Sequence, residues 1–307
     1  MIQSLLNGLV QGALYAIIAL GYTLVYGILM MINFAHGEVL MVGAYAGVMV
    51  ITGLVVGGLA ASTGIVPALL LAVLFAMAVG GAHGVLLERL AYRPLRKAHH
   101  LAPLISAIGM SIVLQNYIRL AQGSTPVYVP QNSPEYRAVF GARGIEVGDV
   151  RVTPLDLTIL VVCVTLMAAL YLFIHRTRMG KAMRATSQDK VMSALVGIDT
   201  DRVIMITFGV GSMLAAVAGV LLTLYTGSAK FTMGFLPGMK AFTAAVLGGI
   251  GNVPGAMLGG LVLGLAEAAG IYFISADYKE VYSLVILLIV LVLRPRGLLG
   301  ERVAEKV

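Results

Sequence analysis

The sequence predicts an all-α, polytopic membrane protein of about eight to nine transmembrane helices. Three observations predict it. Hydrophobic residues make up 59% of the 307 residues, and the mean hydropathy is +0.96. Asp, Glu, Lys and Arg together make up only 11%, against roughly 25% in a typical soluble domain. Long apolar runs reach the roughly 20 residues that span a hydrocarbon core, whereas a β-barrel would alternate with period two in short segments.

Nine candidate spans follow in order, at about 5–31, 36–57, 66–88, 102–121, 155–175, 203–226, 238–250, 254–274 and 281–294. The N-terminal stretch MIQSLLNGLVQGALYAIIALGYTLVYG lacks a basic start and a convincing cleavage site, so it reads as a retained first span. The seventh is short for a full crossing and reads as a broken or half helix. Glycines four apart (Gly8 and Gly12, Gly43 and Gly47, Gly53 and Gly57, Gly251 and Gly255, Gly255 and Gly259, Gly260 and Gly264) predict close helix packing. The single Cys163 lies in an apolar run and reads as a packed thiol.

Lys and Arg mark cytoplasmic loops. Segment 89–100 carries Arg89, Arg93, Arg96 and Lys97 with no acid. Segment 175–202 carries Arg176, Arg178, Lys181, Arg184, Lys190 and Arg202, and the tail carries Arg294, Arg296, Arg302 and Lys306. Loop 122–153 balances Arg137, Arg143 and Arg151 against Glu135, Glu146 and Asp149 and can lie outside. Nine crossings satisfy these placements with the N-terminus outside. The net charge of +7 therefore reports orientation and not nucleic-acid binding.

Two regions look alike. GALYAIIALGYTLVYG (12–27) resembles GSMLAAVAGVLLTLYTG (211–227), and FAHGEVLMVGAYAG (34–47) aligns without gaps to FLPGMKAFTAAVLG (235–248). The reading is one transmembrane domain, 1–307, built as an inverted repeat. Residues 1–121 form the first copy, 155–175 a connecting span, 184–202 a polar cytoplasmic segment and 203–294 the second copy. Inverted repeats are a transporter trait, and their interrupted helices line the path. The breaks near Asn33–Gly37 and Pro237–Gly238 are expected to face each other across it. The translocation-path candidates are Asn33, Phe34, His36, Glu38, Phe235, Pro237 and Glu267.

Ionisable groups are costly inside a bilayer, at about 2.5–3.5 kcal/mol on insertion scales. His36 and Glu38 either cap and anchor a helix break or face the path. Glu267 pairs with a helix-end group or takes part in gating, and Glu88 pairs with a nearby Arg at the interface. The sequence holds no H-E-x-x-H, no G-x-S-x-G and no G-x-x-x-x-G-K-[ST]. A non-enzyme without a cofactor of its own is expected.

The polar stretch RATSQDKVMSALVGIDTDR (184–202) reads as a short capped helix over 187–197. Ser187 is placed as its N-cap, and Asp189 lies where negative charge suits the helix dipole. Gly197 fits the left-handed position that ends a helix, with Ile198 beside it. Val191, Ala194 and Leu195 form an apolar face flanked by Met192 and Val196, and Asp199 or Thr200 caps the next span. Such a helix either rests on headgroups or docks into a groove on a soluble partner.

Five stretches together carry a family resemblance: YTLVYGILMMINFAHGEVLMVGAY (22–45), ERLAYRPLR (88–96), LISAIGMSIVLQNY (104–117), RATSQDKVMSALVGIDTDRVI (184–204) and KAFTAAVLGGIGNVPGAMLGG (240–260). Over nearly its whole length the chain resembles the permease subunits of bacterial ATP-binding-cassette importers for branched-chain amino acids, in their LivH-type form. The resemblance implies an inner-membrane heterodimer with a second permease. It also implies two cytoplasmic ATPase subunits, which bind the ATP, and a periplasmic binding protein that delivers leucine, isoleucine or valine. It makes the polar segment a coupling helix, with Ser187, Gln188, Asp189, Val191, Met192, Leu195 and Gly197 as the residues that engage the ATPases. Relatives carrying urea or short amides, and an ion-driven secondary transporter, are the alternatives.

Overall fold

A computed structural model describes residues 1–96, 98–99, 101–141, 144–148 and 150–300, apart from the Val147 side chain. Lys97, Arg143, Asp149, Arg302 and Lys306, counted in the charge balance above, lie outside the described residues. The helices in order are α1 (Ile2–Leu29), α2 (His36–Val56), a short α3 (Leu59–Thr63), α4 (Ile65–Leu87), α5 (Leu101–Gln122), α6 (Pro134–Phe140), α7 (Pro154–Arg176), α8 (Arg178–Gln188), α9 (Lys190–Leu195), α10 (Thr200–Thr226), α11 (Phe235–Gly248), α12 (Val253–Phe273) and α13 (Lys279–Leu293). A π-helical turn, Glu88–Tyr92, extends α4. Two small antiparallel ladders complete the elements: β1 (Val127–Tyr128) with β4 (Ser228–Ala229), and β2 (Ile145–Val147) with β3 (Val150–Val152).

Seven helices, α1, α2, α4, α5, α7, α10 and α12, are long and apolar enough to cross a membrane. The two remaining expected spans are shorter: α11 has 14 residues and α13 has 15. At 1.5 Å per residue α11 covers about 21 Å, short of the roughly 30 Å hydrocarbon core. The expected half helix is therefore present, but it begins at Phe235 and not at 238. Pro237 falls in its first turn, where a missing N–H removes no helical hydrogen bond.

Helices α1 and α10 form the enclosed centre, whereas α4, α5 and α7 leave most of their surface outward. Small residues let α12 lie on α1: a Cβ on Gly8 would stand 2.7 Å from the Gly264 carbonyl oxygen, and one on Gly12 2.9 Å from that of Gly260. The order of these contacts makes α1 and α12 antiparallel. Gly43 and Gly47 of α2 pack on Ala216 and Val220 of α10, so those two run parallel. The pair Gly53 and Gly57 is not a packing motif. Among the described residues, a Cβ on Gly53 meets nothing within 4 Å, and one on Gly57 meets only Gly53 of its own helix. Cys163 is buried and unpaired, as its apolar surroundings predict.

The ends of the bundle are chemically distinct. At one end the Gln3 side chain is bonded to Arg151, whose N–H donates to Gln3 Oε1 at 2.8 Å, and β1 pairs with β4 nearby at the end of α10. At the other end Val25 and Ile28 of α1 cluster with Ala91, Met183, Val203 and Ile204. This second end gathers the basic segments around 89–96 and 176–202, and on the rule that Lys and Arg stay inside we propose it as the cytoplasmic end, with the N-terminus outside. Helices α1 and α10 run in opposite directions. The matching pairs α2 and α11, α4 and α12, and α5 and α13 are likewise opposed.

After α13 the chain folds back under α11. The N–H groups of Leu298 and Leu299 donate to the carbonyls of Leu247 (2.8 Å) and Gly248 (3.0 Å). These are among the last carbonyls of α11, which its own helix cannot satisfy. Asn252 Nδ2 donates to the Leu299 carbonyl at 2.8 Å, while its Oδ1 caps α12 through the Gly255 N–H.

In a Cys163→Ser background, a cysteine at position 3 should react with an impermeant maleimide added outside intact cells, and one at position 192 should react only after permeabilisation. The reverse pattern would overturn this orientation.

Candidate functional site

Two helices begin inside the bundle, and their starts meet. Chain 30–35 turns back after α1 and enters α2 at His36; chain 227–234 descends from α10 and enters α11 at Phe235. A Cβ on Gly37 would lie 2.5 Å from the Gly234 carbonyl oxygen and 3.1 Å from the Gly238 Cα, so only glycine allows this approach. The break in the second copy thus lies just before Gly234, ahead of Pro237, and it does face the first.

Beside this contact lies a cavity of about 250 Å³. The three glycines border it, Phe34, Ile108, Phe235 and Met239 give apolar walls, and Tyr22 and Ser111 complete the lining. Of the predicted path residues, Phe34 and Phe235 line the cavity. The others hold the junction or lie away from it. Asn33 is buried, and its Oδ1 accepts from Tyr92 Oη of the π turn at 3.0 Å. His36 is buried edge-on to Tyr22, with ring centroids 4.8 Å apart. Glu38 Oε1 accepts from Gln115 Nε2 at 2.8 Å and Ser111 Oγ at 3.3 Å, which ties α2 to α5. Its Oε2 is buried and has no hydrogen-bond partner among the described residues.

Glu267 does not reach the cavity. Its Oε1 lies 2.9 Å from Lys240 Nζ, and its Oε2 accepts from Tyr15 Oη at 3.0 Å. Lys240 Nζ also lies 3.1 Å from Glu280 Oε2. Lys240 was missed as an intramembrane charge, although a lysine in a short apolar span was signal enough. Its partners come from α1, α12 and α13 and share no local spacing with it. Ser111, Gln115 and Tyr22 were also missed, because single polar residues in apolar spans resemble ordinary packing groups.

The polar segment is two helices, α8 and α9. Ser187 is not the N-cap. It lies within α8, and its hydroxyl donates to the Arg184 carbonyl at 2.8 Å. The chain breaks one residue beyond Gln188, where Asp189 takes an extended conformation (φ −155°). Its Oδ1 accepts from the Val191 and Met192 N–H groups at 2.8 and 3.0 Å. The capped helix is accordingly the six-residue α9, shorter than 187–197. Gly197 adopts φ +87°, the Ile198 N–H donates to the Ser193 carbonyl at 3.0 Å and the Gly197 N–H to that of Ala194 at 3.1 Å. That pair of bonds is the Schellman ending. Asp199 caps α10 through the Arg202 N–H.

The base of this segment is fixed and its tip is bare. Arg93 and Arg96 each lie 2.5 Å from an Asp201 carboxylate oxygen, and Arg96 also pairs with Glu88, as expected for Glu88. Burial, and next the Arg96 guanidinium, lower the Lys190 pKa. Val191, Met192, Leu195 and Val196 are 61–77% exposed.

Residues 4–293 match the family described as branched-chain amino acid transport system / permease component. Among curated proteins, the chain is similar to the high-affinity branched-chain amino acid transport system permease protein LivH of Escherichia coli, 47% identical over all of this chain and 97% of that one. It is similar to BraD of Pseudomonas aeruginosa, which has the same description, at 48% over 100% and 98% of the two chains. A more distant likeness is to the ribose import permease protein RbsC of Escherichia coli, 26% identical over 94% of this chain and 84% of that one.

Lys240→Met should leave the buried Glu267 carboxylate without its ion-pair partner, at a cost of about 3–5 kcal/mol. Thermal unfolding in detergent should show a lowered Tm, and Lys240→Met with Glu267→Leu should recover most of it. An unchanged Tm in the single variant would show that the pair contributes nothing.

Proposed function

This chain belongs to the branched-chain amino acid transport permease family, and on that premise we propose that it is a membrane-spanning subunit of an ATP-binding-cassette importer for leucine, isoleucine and valine. The observation that carries the reading is the likeness of the whole chain, end to end, to such permeases. In this reading the solute arrives from a periplasmic binding protein at the outer end. A second permease faces this one, and two cytoplasmic ATPases bind and hydrolyse ATP. The chain performs no catalysis of its own. The path includes the junction of α2 and α11, the matching helices of the two inverted copies, whose starts meet.

The α9 tip supports the ATPase contact. Its apolar side chains are held out by a helix capped at both ends, over a base pinned by the Arg93–Asp201–Arg96 knot. A helix resting on headgroups gains from basic residues flanking a broad apolar face, whereas the α9 face is narrow. A secondary ion-driven transporter needs a relay of titratable groups. The buried Lys240 and Glu267 neutralise each other, which disfavours that route.

The test is reconstitution. Uptake of leucine into proteoliposomes should require the ATPases, ATP and the binding protein; uptake by this chain alone, without ATP, would sink the reading. Leu195→Asp should abolish co-purification of the ATPases while leaving membrane insertion intact. Gly197→Val should act similarly, because a β-branched residue resists positive φ. Asp189→Ala should destabilise α9 by about 1 kcal/mol, and Ser187→Ala should be nearly silent. Equal effects of those two on ATPase affinity would contradict the assigned cap.

A further inference from the structure

We propose that the corner between α7 and α8 is a binding ledge for the headgroup of an anionic phospholipid in the adjoining leaflet. The inference rests on the chain's place in a membrane and not on the importer reading. Between Asp156 and Asp189 the sequence holds no acidic residue, yet one short stretch carries Arg176, Arg178, Lys181 and Arg184. All four are exposed. Among the described residues, no carboxylate lies within 4 Å of any of these cations. The basic turn after α4 is different, because Asp201 and Glu88 pair with its Arg93 and Arg96. The charge at the α7–α8 corner is left for something outside the chain to balance.

The fold holds this charge in place. Thr177 is extended between the two helices. Its Oγ1 donates to the Phe173 carbonyl at 2.6 Å and accepts from the Gly180 N–H at 3.0 Å. Gly180 lets α8 close on the end of α7, since a Cβ there would overlap the Ile174 carbonyl oxygen. Arg184 donates to that same carbonyl. Gly180, Met183 and Thr186 form the buried side of α8, so Arg178 and Lys181 lie on the side away from the bundle.

The neighbouring surface identifies the anion as a lipid. Leu157, Val161, Val164 and Leu172 recur at helical spacing along α7 and are 42–64% exposed. This outward face ends in Tyr171, stacked on His175 with ring centroids 4.1 Å apart. An aromatic ring at that level marks the boundary between acyl chains and headgroups. Acyl chains lying along α7 bring a headgroup phosphate to the ledge, where Arg and Lys supply charge-assisted hydrogen bonds. Basic clusters just beyond a membrane helix recognise anionic headgroups in this way.

The test titrates the full chain in neutral detergent with phosphatidylglycerol or with phosphatidylcholine of the same acyl chains. Bound lipid is counted by native mass spectrometry. Phosphatidylglycerol should bind at least about tenfold more tightly. Arg178→Gln with Lys181→Gln should weaken it by about fivefold for each charge removed, with phosphatidylcholine binding and lipid-free Tm unchanged. Arg119→Gln, at an exposed position on α5, should change nothing. Equal binding of the two lipids would overturn the ledge. An equal loss with Arg119→Gln would show only diffuse attraction and would overturn it too. Displacement of the lipid by inorganic phosphate at the same concentration would make this a free-anion site. A double variant that keeps its lipid preference but no longer co-purifies the ATPases would assign the patch to a protein partner and overturn the lipid.

Discussion

The contact of Gly37 with Gly234 and Gly238 is where the architecture is decided. Inside a bilayer an unpaired peptide group has no water to turn to, so a broken helix survives only where protein surrounds it. This chain breaks two helices and shelters each break against the other. Bare backbone on both sides permits the approach. The neighbours then follow from it: α2 must lie flat on α10 through Gly43 and Gly47. Asn33 must reach the Tyr92 hydroxyl, and Glu38 must reach α5. The cavity is the space left where helix starts cannot fill the volume that full helices would.

Charge is handled on a related principle. Two knots gather most of the paired charges, Glu88–Arg96–Asp201–Arg93 at the end that carries the basic segments and Tyr15–Glu267–Lys240–Glu280 deeper in the bundle, while Glu38 and Asp156 are buried outside them. Each knot joins helices distant in sequence. The first also fixes the root of the polar segment, so that α9 can present its apolar tip from a rigid base.

Much of this was legible in the sequence because membrane helices declare themselves by length and apolarity. All nine expected segments correspond to helices, with ends displaced by a few residues. The half helix was legible from its shortness, and the polar segment from its contrast with its surroundings. What stayed hidden depended on choices between near neighbours or on distant partners. Ser187 and Asp189 are both good caps, and only the continuation of α8 through Gln188 decides for Asp189. Lys240 gains its meaning from residues 27 and 40 positions downstream, at Glu267 and Glu280. Pro237 drew attention as a helix breaker, yet a proline in the first turn of a helix breaks nothing. The cavity has only a partial sequence signature: Phe34 and Phe235 stood out beside the helix breaks, whereas Ile108 and Met239 read as ordinary apolar filling.

The return of Leu298 and Leu299 to the end of α11 has a consequence for assembly. They cap carbonyls about fifty positions before them, across α12 and α13. The end of the half helix that borders the cavity is therefore completed only once α12 and α13 have been made and the chain has turned back beneath it, so α11 is not finished in the order in which it is synthesised.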